Sequence, residues 1–422
     1  MILGHKIKLN PTDEQATYFR QAAGCARLAF NWGVARWKEV LNQNKESKIN
    51  KSISALELKK EFNFLKKEQF PFVYEVTKCA CEGGFQDLAN AFRNFFADCK
   101  KRKSNQSRKL RFPQFKKKHK FQPNFYLAND KLKFRQNEVY ISRLGWVNMA
   151  ESLRFAGKVM AGRILFQNMN WWISVQVEVE KVDTSTETQD AIGIDLGLKT
   201  LAVDNFGNET EAIKALSKNL SKIKKKSRSL ARKVKGSKRW QKTNAKLNKS
   251  HFRVRNVRSD YTHKTTTKIA RSYAIIAVED LNVSGMMKNK HLSRAIADAS
   301  MSEFVRELEY KTQRQGGQLV KIDRYFASSQ ICSSCGYKNE LMKDLSIRKW
   351  NCPMCETHHE RDTNAAKNIR CEAIKQIRSS GSGYVGRKTL VESLALELGL
   401  VANFNQITLK REPKEYIYTL LG

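Results

Sequence analysis

Apolar and polar residues alternate with a period of two over residues 1 to 9, which predicts a strand. Asn10-Pro11-Thr12-Asp13-Glu14 then offers a cap, a first-turn proline and acidic residues, so a helix is predicted to start there. Helical spacing continues to about Cys99, with Phe19, Ala26, Phe30 and Trp37, then Phe85, Leu88, Phe92, Phe95 and Phe96, forming core stripes interrupted near Gln69-Phe70-Pro71. From Phe121 to Lys181 the pattern becomes short alternating runs, such as Trp171 to Val179, divided by turn residues including Gly145 and Gly157. That predicts a small β domain able to take up the first strand as well. The polar stretch Val182 to Thr188 reads as a domain linker.

The second half opens on a buried strand, Ala191-Ile192-Gly193-Ile194-Asp195-Leu196-Gly197, with a carboxylate near its end. A second short run, Leu201 to Val203, and a turn at Asp204 to Asn208 complete a hairpin. Tyr273 to Glu279 repeats the arrangement, a buried strand ending in a carboxylate. A helix from Ser300 to Gln315 closed by Gly316-Gly317, a strand Leu319 to Ile322, and a helix Asp362 to Ile377 follow. No tandem repeat of solenoid period is present.

Composition narrows the function class. The 422 residues carry 78 Lys+Arg against 41 Asp+Glu, a net charge of +37, which calls for a polyanionic partner. An apolar content of 41% supports two or three real cores and argues against disorder. No apolar run approaches the roughly 20 residues needed to cross a bilayer. The N-terminal residues show no secretory signal, so a cytoplasmic location is expected. The charge is concentrated: residues 100 to 120 hold eleven Lys or Arg and no acid, with Phe112 and Phe115 among them and Pro113 opposing a regular helix. Residues 213 to 268 hold twenty against one acid, Asp260. A solvated helix face mixes both signs, so this one-sidedness points to nucleic-acid phosphates. Arg111, Lys116, Lys117, Lys224, Lys225, Arg228, Arg253 and Arg255 are the candidate contacts.

Nine cysteines include two Cys-x-x-Cys pairs, Cys332/Cys335 and Cys352/Cys355, sixteen residues apart. This spacing suits one tetrahedral Zn²⁺ held by four thiolates, and a filled coordination sphere makes such a metal structural. Cys25, Cys79, Cys81, Cys99 and Cys371 sit in apolar or helical patterns and read as core filler. His358 and His359, just past the last ligand, read as polar surface or nucleic-acid contacts. Three separated carboxylates, Asp195, Glu279 and Asp362, form the second constellation. A carboxylate after a buried strand costs desolvation unless it meets a cation or a donor. Together the three could hold two Mg²⁺ about 4 Å apart for phosphodiester hydrolysis. The alternative is that Asp195 and Glu279 cap turns and Asp362 caps its helix.

The combined set of motifs closely resembles the TnpB (OrfB) family of transposon-encoded proteins, relatives of compact type V CRISPR effectors. Its carriers are Gly193-Ile194-Asp195-Leu196-Gly197, Val278-Glu279-Asp280-Leu281, Ser329-Gln330-Ile331-Cys332-Ser333-Ser334-Cys335-Gly336, and Arg361-Asp362-Thr363-Asn364-Ala365-Ala366-Lys367-Asn368-Ile369. Phe112-Pro113-x-Phe115 and Leu144-Gly145-Trp146 add to it, and the likeness covers residues 1 to about 378. It implies a multidomain α/β fold: a β-barrel wedge domain at 1–10 and 106–182, a helical recognition lobe at 11–105, an RNase H-like RuvC nuclease domain at 190–325 and 361–380, and a zinc ribbon at 326–360. It further implies an RNA-guided DNA endonuclease with Asp195, Glu279 and Asp362 as the catalytic, Mg²⁺-binding triad. The partners would be a guide RNA from the transposon end and a target DNA beside a short motif. Glu75-Val76-x-Lys78, Asp87-Leu88 and Phe92-x-Asn94 resemble the family's helical segment, which makes Lys78 a candidate DNA contact, whereas Glu82 is poorly suited to phosphate. The tail 381–422 matches no family motif.

Three rival readings differ in testable features. Residues 192 to 197 also resemble the first phosphate hairpin of actin-like ATPases, but no second glycine-rich loop follows. A nucleic-acid-binding module without catalysis would not need the acid triad, and a strict transposase would need a strand-transfer tyrosine or His-x-His arrangement. Within the family, a small CRISPR effector or a nuclease-inactive RNA-guided binder are the alternatives, and all three acidic positions being filled favours activity.

Overall fold

The computed structural model describes residues 1–47, 53–103, 111–118, 120–180 and 191–379, which fall into two units, Met1–Lys181 and Val182–Gly422. The linker expected at 182–188 and the tail from 381 lie outside the described residues.

The first unit runs β1 (Ile2–Asn10), α1 (Asp13–Ser47), α2 (Ala55–Gln69), α3 (Cys79–Lys103), β2 (Asn124–Ala128), β3 (Leu132–Arg135), β4 (Glu138–Ile141), β5 (Gly145–Met149), β6 (Lys158–Gln167) and β7 (Asn170–Glu178). Local chemistry sets the helix starts. Thr12 and Gln15 exchange side-chain bonds with each other's amides at the head of α1, and Ser54 with Glu57 makes a capping box before α2. Pro71 ends the helical run and opens a 3₁₀ turn, Pro71–Glu75, where the sequence predicts a break. The strands form one antiparallel sheet, ordered β2-β6-β7-β1-β5-β4-β3. β1 pairs along β7 from Ile2↔Glu178 to Leu9↔Trp171, so the expected uptake of the first strand occurs. The sheet curls until Leu132 of β3 lies where a Cβ on Gly162 of β6 would stand, 2.6 Å from its Cδ1.

The helices pack through the predicted stripes: Phe19 meets Phe125 and Trp171, and Trp37 stacks on Phe92 with centroids 3.6 Å apart. Phe96 stays beside Phe92 and Trp37 but is 46% exposed. Cys25 and Cys81 are buried, and burial pushes their thiols up to about 11 and about 12, as fits inert core filler.

Lys116, expected to contact phosphate, is corrected by the structure. Its ammonium bonds Asp87 at 2.8 Å and lies over the rings of Phe30 and Phe121, while Arg163 closes on the same carboxylate at 3.0 Å. A mostly buried ammonium whose charge is already matched has little left for a phosphate. Glu82 pairs with Lys59 of α2.

The second unit runs β8 (Ala191–Leu196), β9 (Thr200–Asp204), β10 (Glu209–Glu211), α4 (Ala215–Ala231), α5 (Lys238–Ser272), β11 (Ile275–Glu279), α6 (Val283–Met286), α7 (Ser293–Ala299), α8 (Met301–Arg314), β12 (Gln318–Ile322), β13 (Lys349–Asn351), β14 (His358–Glu360) and α9 (Arg361–Ser379). The main sheet is ordered β10-β9-β8-β11-β12, with β8, β11 and β12 parallel and the β9–β10 hairpin antiparallel. Buried parallel strands read as continuous apolar runs, which is why both carboxylate-tipped segments were legible as strands. Ile192, Ile194, Ile276 and Val278 point to one face, where Ala270 of α5 and Phe304 and Leu308 of α8 cover them. Fully buried Glu307 pins α8 to α5 through Thr266 at 3.0 Å and His263 at 2.9 Å, and Lys311, one turn further along α8, pairs with the same carboxylate at 3.2 Å. The opposite face, with Ala191, Ile275 and Ala277, is covered by Ile369, Ala373 and Ile374 of α9.

The small residues on that second face let α9 come close. A Cβ on Gly193 would stand 2.0 Å from the Ala366 carbonyl oxygen and 2.7 Å from the Arg370 amide nitrogen. Backbone atoms cannot move aside as a side-chain tip can, so Gly193→Ala is expected to lower unfolding free energy by about 1–3 kcal/mol. Thermal denaturation checks this, and an unchanged midpoint would mean that α9 does not seat on β8.

Candidate active site

Strand parity aims the two strand carboxylates. Asp195 shares a face with Ala191 and Gly193, and Glu279 shares one with Ile275 and Ala277, so both emerge on the side covered by α9. The parallel register Val278↔Ile194 places Asp195 and Glu279 on the next rung of adjacent strands. Strands hydrogen-bond at about 4.8 Å, so the two acids are lateral neighbours. α9 begins over this sheet end and carries Asp362 in its first turn, where an anion is favoured by the helix dipole. The structure therefore brings together the three acids that the sequence singled out.

Their electrostatics are strained. Burial first, then the charges of Glu279 and Asp362, push the Asp195 carboxyl up to about 7, against partial relief from the Arg361 guanidinium and the Leu196 amide. Glu279 accepts a hydrogen bond from the Ser328 hydroxyl at 2.5 Å, and Asp362 accepts one from Arg348 at 3.3 Å. A carboxylate cluster short of positive charge fits a divalent cation, which supplies the missing countercharge. The acids stand wider than the cysteines: among the described residues, only the four cysteines have ligand atoms all within 4.8 Å of one another. Acids set this far apart cannot all bind one small ion directly, so a cation held between them would keep waters in its shell.

The cysteine cluster fits a structural zinc. Cys332 and Cys352 are buried and Cys335 and Cys355 exposed; the first pair sits in the turn between the bridged Ile331 and Lys338, the second in the turn of the β13–β14 hairpin. The Thr357 hydroxyl and amide hold the Cys355 thiol down to about 6. Although the Tyr337 amide favours its thiolate, desolvation and then bonding among the neighbouring sulfurs push Cys335 up to about 12. Four such sulfurs cannot all ionise together without a cation between them. His359 is corrected from the expected surface role: it is buried against Trp350, with Nε2 3.0 Å from Cys332 Sγ. His358 is exposed, as expected.

Of the candidate phosphate contacts, Lys78, Arg111, Lys117, Lys224, Lys225, Arg228, Arg253 and Arg255 are exposed. All five in the second unit, Lys224, Lys225, Arg228, Arg253 and Arg255, lie on the α4–α5 helical hairpin, whose first helix is anchored by Asp298 accepting from the Leu216 and Ser217 amides at 2.8 and 3.0 Å. The site residues that sequence reasoning missed are Ser328, which lies just outside the quoted zinc-ribbon motif, and Arg361, quoted but given no role. Arg361 is buried and donates to the Asp344 and Ile347 carbonyls, 2.5 and 3.4 Å away, so its charge is held beside the acids.

Comparison with known proteins extends the picture. A family of probable transposases matches residues 174–290, a Cas12f1-like TNB domain matches residues 302–369, and a helix-turn-helix domain matches residues 1–46. Over that last range the structure has one strand and one unbroken helix, β1 and α1. The chain is 30% identical over 380 residues to InsQ, a putative RNA-guided DNA endonuclease of Escherichia coli K12, covering 86% of this chain and 90% of that one. It is 29% identical over 372 residues to a putative RNA-guided DNA endonuclease of Streptomyces pristinaespiralis, covering 86% and 87%. Among solved structures, Cas12f1 in a complex with sgRNA and target DNA aligns with a TM-score of 0.53 at 15% identity, over 85% of this chain and 83% of that one, a likeness of fold alone. No described helix is long and apolar enough to cross a membrane.

Proposed function

Because this chain belongs to the TnpB (OrfB) family, whose relatives carry the name of RNA-guided DNA endonucleases, we propose that it is itself an RNA-guided DNA endonuclease with one acidic site for phosphodiester hydrolysis. The observation that carries this reading is the convergence of Asp195 and Glu279, on neighbouring rungs, with Asp362 at the head of the helix that covers them. The order β10-β9-β8-β11-β12, with the antiparallel β9–β10 hairpin beside three parallel strands, supports an RNase H-like RuvC domain over 190–325 and 361–380, with a zinc ribbon inserted at 326–360. The curled sheet holding β1 supports a β-barrel wedge domain at 1–10 and 106–182, with 11–105 as an inserted helical lobe.

Asp195, Glu279 and Asp362 would hold two Mg²⁺, which when bound supply an activated water and stabilise the leaving 3′ oxygen. The protein's own part is orientation. β8 and β11 fix the lateral spacing of two carboxylates, α9 delivers the third, and the buried Arg361 limits how far their mutual repulsion raises Asp195. Base pairing with a guide from the transposon end selects the target, so the protein needs basic surfaces for phosphate more than base readers, and the α4–α5 hairpin offers one. With one acidic site, displaced and target strands must enter in turn.

Purifying the protein from cells carrying its gene with the native downstream flank, and sequencing the bound RNA, tests this. One discrete RNA is expected, with a terminal segment that programs Mg²⁺-dependent cleavage of matching DNA. Heterogeneous RNA, or cleavage indifferent to the match, would overturn guidance.

A further inference from the structure

We propose that Ser328 is a positioning residue for Glu279, and that a hydrogen-bonded relay through Asn368 makes the aim of this carboxylate depend on the cysteine module. This inference rests on the acidic site proposed above. Ser328 lies in the segment leading from β12 to Cys332 and is 5% exposed. Its hydroxyl donates to Glu279 Oε1 at 2.5 Å, while its own carbonyl accepts from Asn368 Nδ2 at 2.8 Å. The same amide group donates to the Ile331 carbonyl at 2.7 Å, immediately before the first zinc-type ligand. One turn earlier on α9, Asn364 donates to that carbonyl at 2.7 Å and accepts from the Ser333 amide at 2.9 Å, immediately after the ligand. Both asparagines are buried, so these bonds compete with little water.

The arrangement has a direction. An ionised carboxylate only accepts, so a single well-placed hydroxyl fixes one oxygen and leaves the other for a cation. Donors that orient a ligand in this way tune metal affinity without touching the metal. Asn364 and Asn368 hold the chain on either side of Cys332, and Asn368 also holds Ser328. Displacement of the module therefore moves the donor that aims Glu279, and α9 with it. Sequence spacing between the zinc ligands and Asp362 shows only one covalent route between the two centres; this second route runs through space to a different acid.

The test uses the full chain with Ser328→Ala, Ser328→Cys and Ser328→Thr, read by Mn²⁺ binding to the RNA-free protein with water-proton relaxation. Zinc content and the thermal midpoint are recorded alongside. Ser328→Ala is expected to weaken Mn²⁺ binding about 10-fold and to raise, by a similar factor, the Mg²⁺ needed for half-maximal cleavage, with zinc content unchanged. Ser328→Cys, close in shape but a poor donor, should follow Ala; Ser328→Thr, which keeps the hydroxyl, should restore tight binding. Wild-type Mn²⁺ affinity in the Ala and Cys variants would overturn the positioning role, and wild-type affinity in Asn368→Ala would overturn the relay. Asp195→Ala separates the two levels: if it also leaves Mn²⁺ affinity unchanged, the acidic site itself is not a metal site.

Discussion

Asp195→Asn is expected to abolish DNA cleavage while making the metal-free protein more stable at pH 8. The proposed chemistry needs a charge on Asp195, yet its surroundings destabilise that charge. Its carboxyl, ordinarily near 3.8, is raised to about 7 by burial and by Glu279 and Asp362. The folded state therefore binds a proton more tightly than the unfolded chain. The associated stability is complete below about pH 4 and is lost as pH rises through about 7. At pH 8 the loss is about 4 kcal/mol, and asparagine, with no charge to bury, removes it. A wild-type midpoint that falls between pH 5 and pH 8 should become flatter in the variant. Mg²⁺ should recover stability in the wild type and not in Asp195→Asn. Cleavage should drop by about a thousand-fold or more, since several kcal/mol of charge stabilisation depend on the bound cation. Guide RNA binding, which uses surfaces elsewhere, should persist. Residual cleavage near the wild-type rate would remove Asp195 from the chemistry, and an unchanged pH profile of stability would remove the strain argued for it.

Cys352→Ser is expected to release the bound zinc and to reduce cleavage by about 100-fold or more, with RNA binding largely kept. The module has almost no core of its own: Cys332, Met342, Trp350 and Cys352, with Ile347 packed against them. So small a cluster cannot offset the entropy of ordering the module, and the metal supplies the difference, about 10–16 kcal/mol in comparable zinc modules. Its loss reaches the acids through contacts that α9 makes with the module. Arg361 loses its carbonyl acceptors at Asp344 and Ile347, and Asn364 and Asn368 lose Ile331. Asp362, next to Arg361, loses its seating. Metal analysis, RNA-binding and cleavage assays on one preparation check this. Full cleavage by a zinc-free preparation would make the module dispensable to the site.

Much of this site was legible beforehand, because its parts are local patterns. An apolar run such as Ile275 to Val278 announces a buried strand, and the carboxylate that follows announces a cost that something must offset. The paired cysteines carry their own ligand spacing. What was misread shares one cause, dependence on a distant partner. Lys116 looks like any lysine in a basic run until Asp87 and Arg163 close around it, and His359 reads as surface until Trp350 and Cys332 cover it. Ser328 carries no signal at all in a serine-rich stretch, since only the fold places Glu279 in front of its hydroxyl.

The sequence by itself determined the main element types, the positive charge that selects a polyanionic partner, the four cysteines that fit a zinc site, and which acids stand at strand ends. Those properties follow from side-chain period, ligand spacing and net charge, which short stretches of chain carry alone. Only the tertiary structure decided that Asp195 and Glu279 face the same way, that α9 comes close enough over Gly193 to bring Asp362 to them, and that Ser328 and Asn368 connect them to the cysteine module. Each of these depends on strand register or close packing between segments far apart in the chain. Such contacts are selected by the free energy of the whole unit, which no local pattern contains.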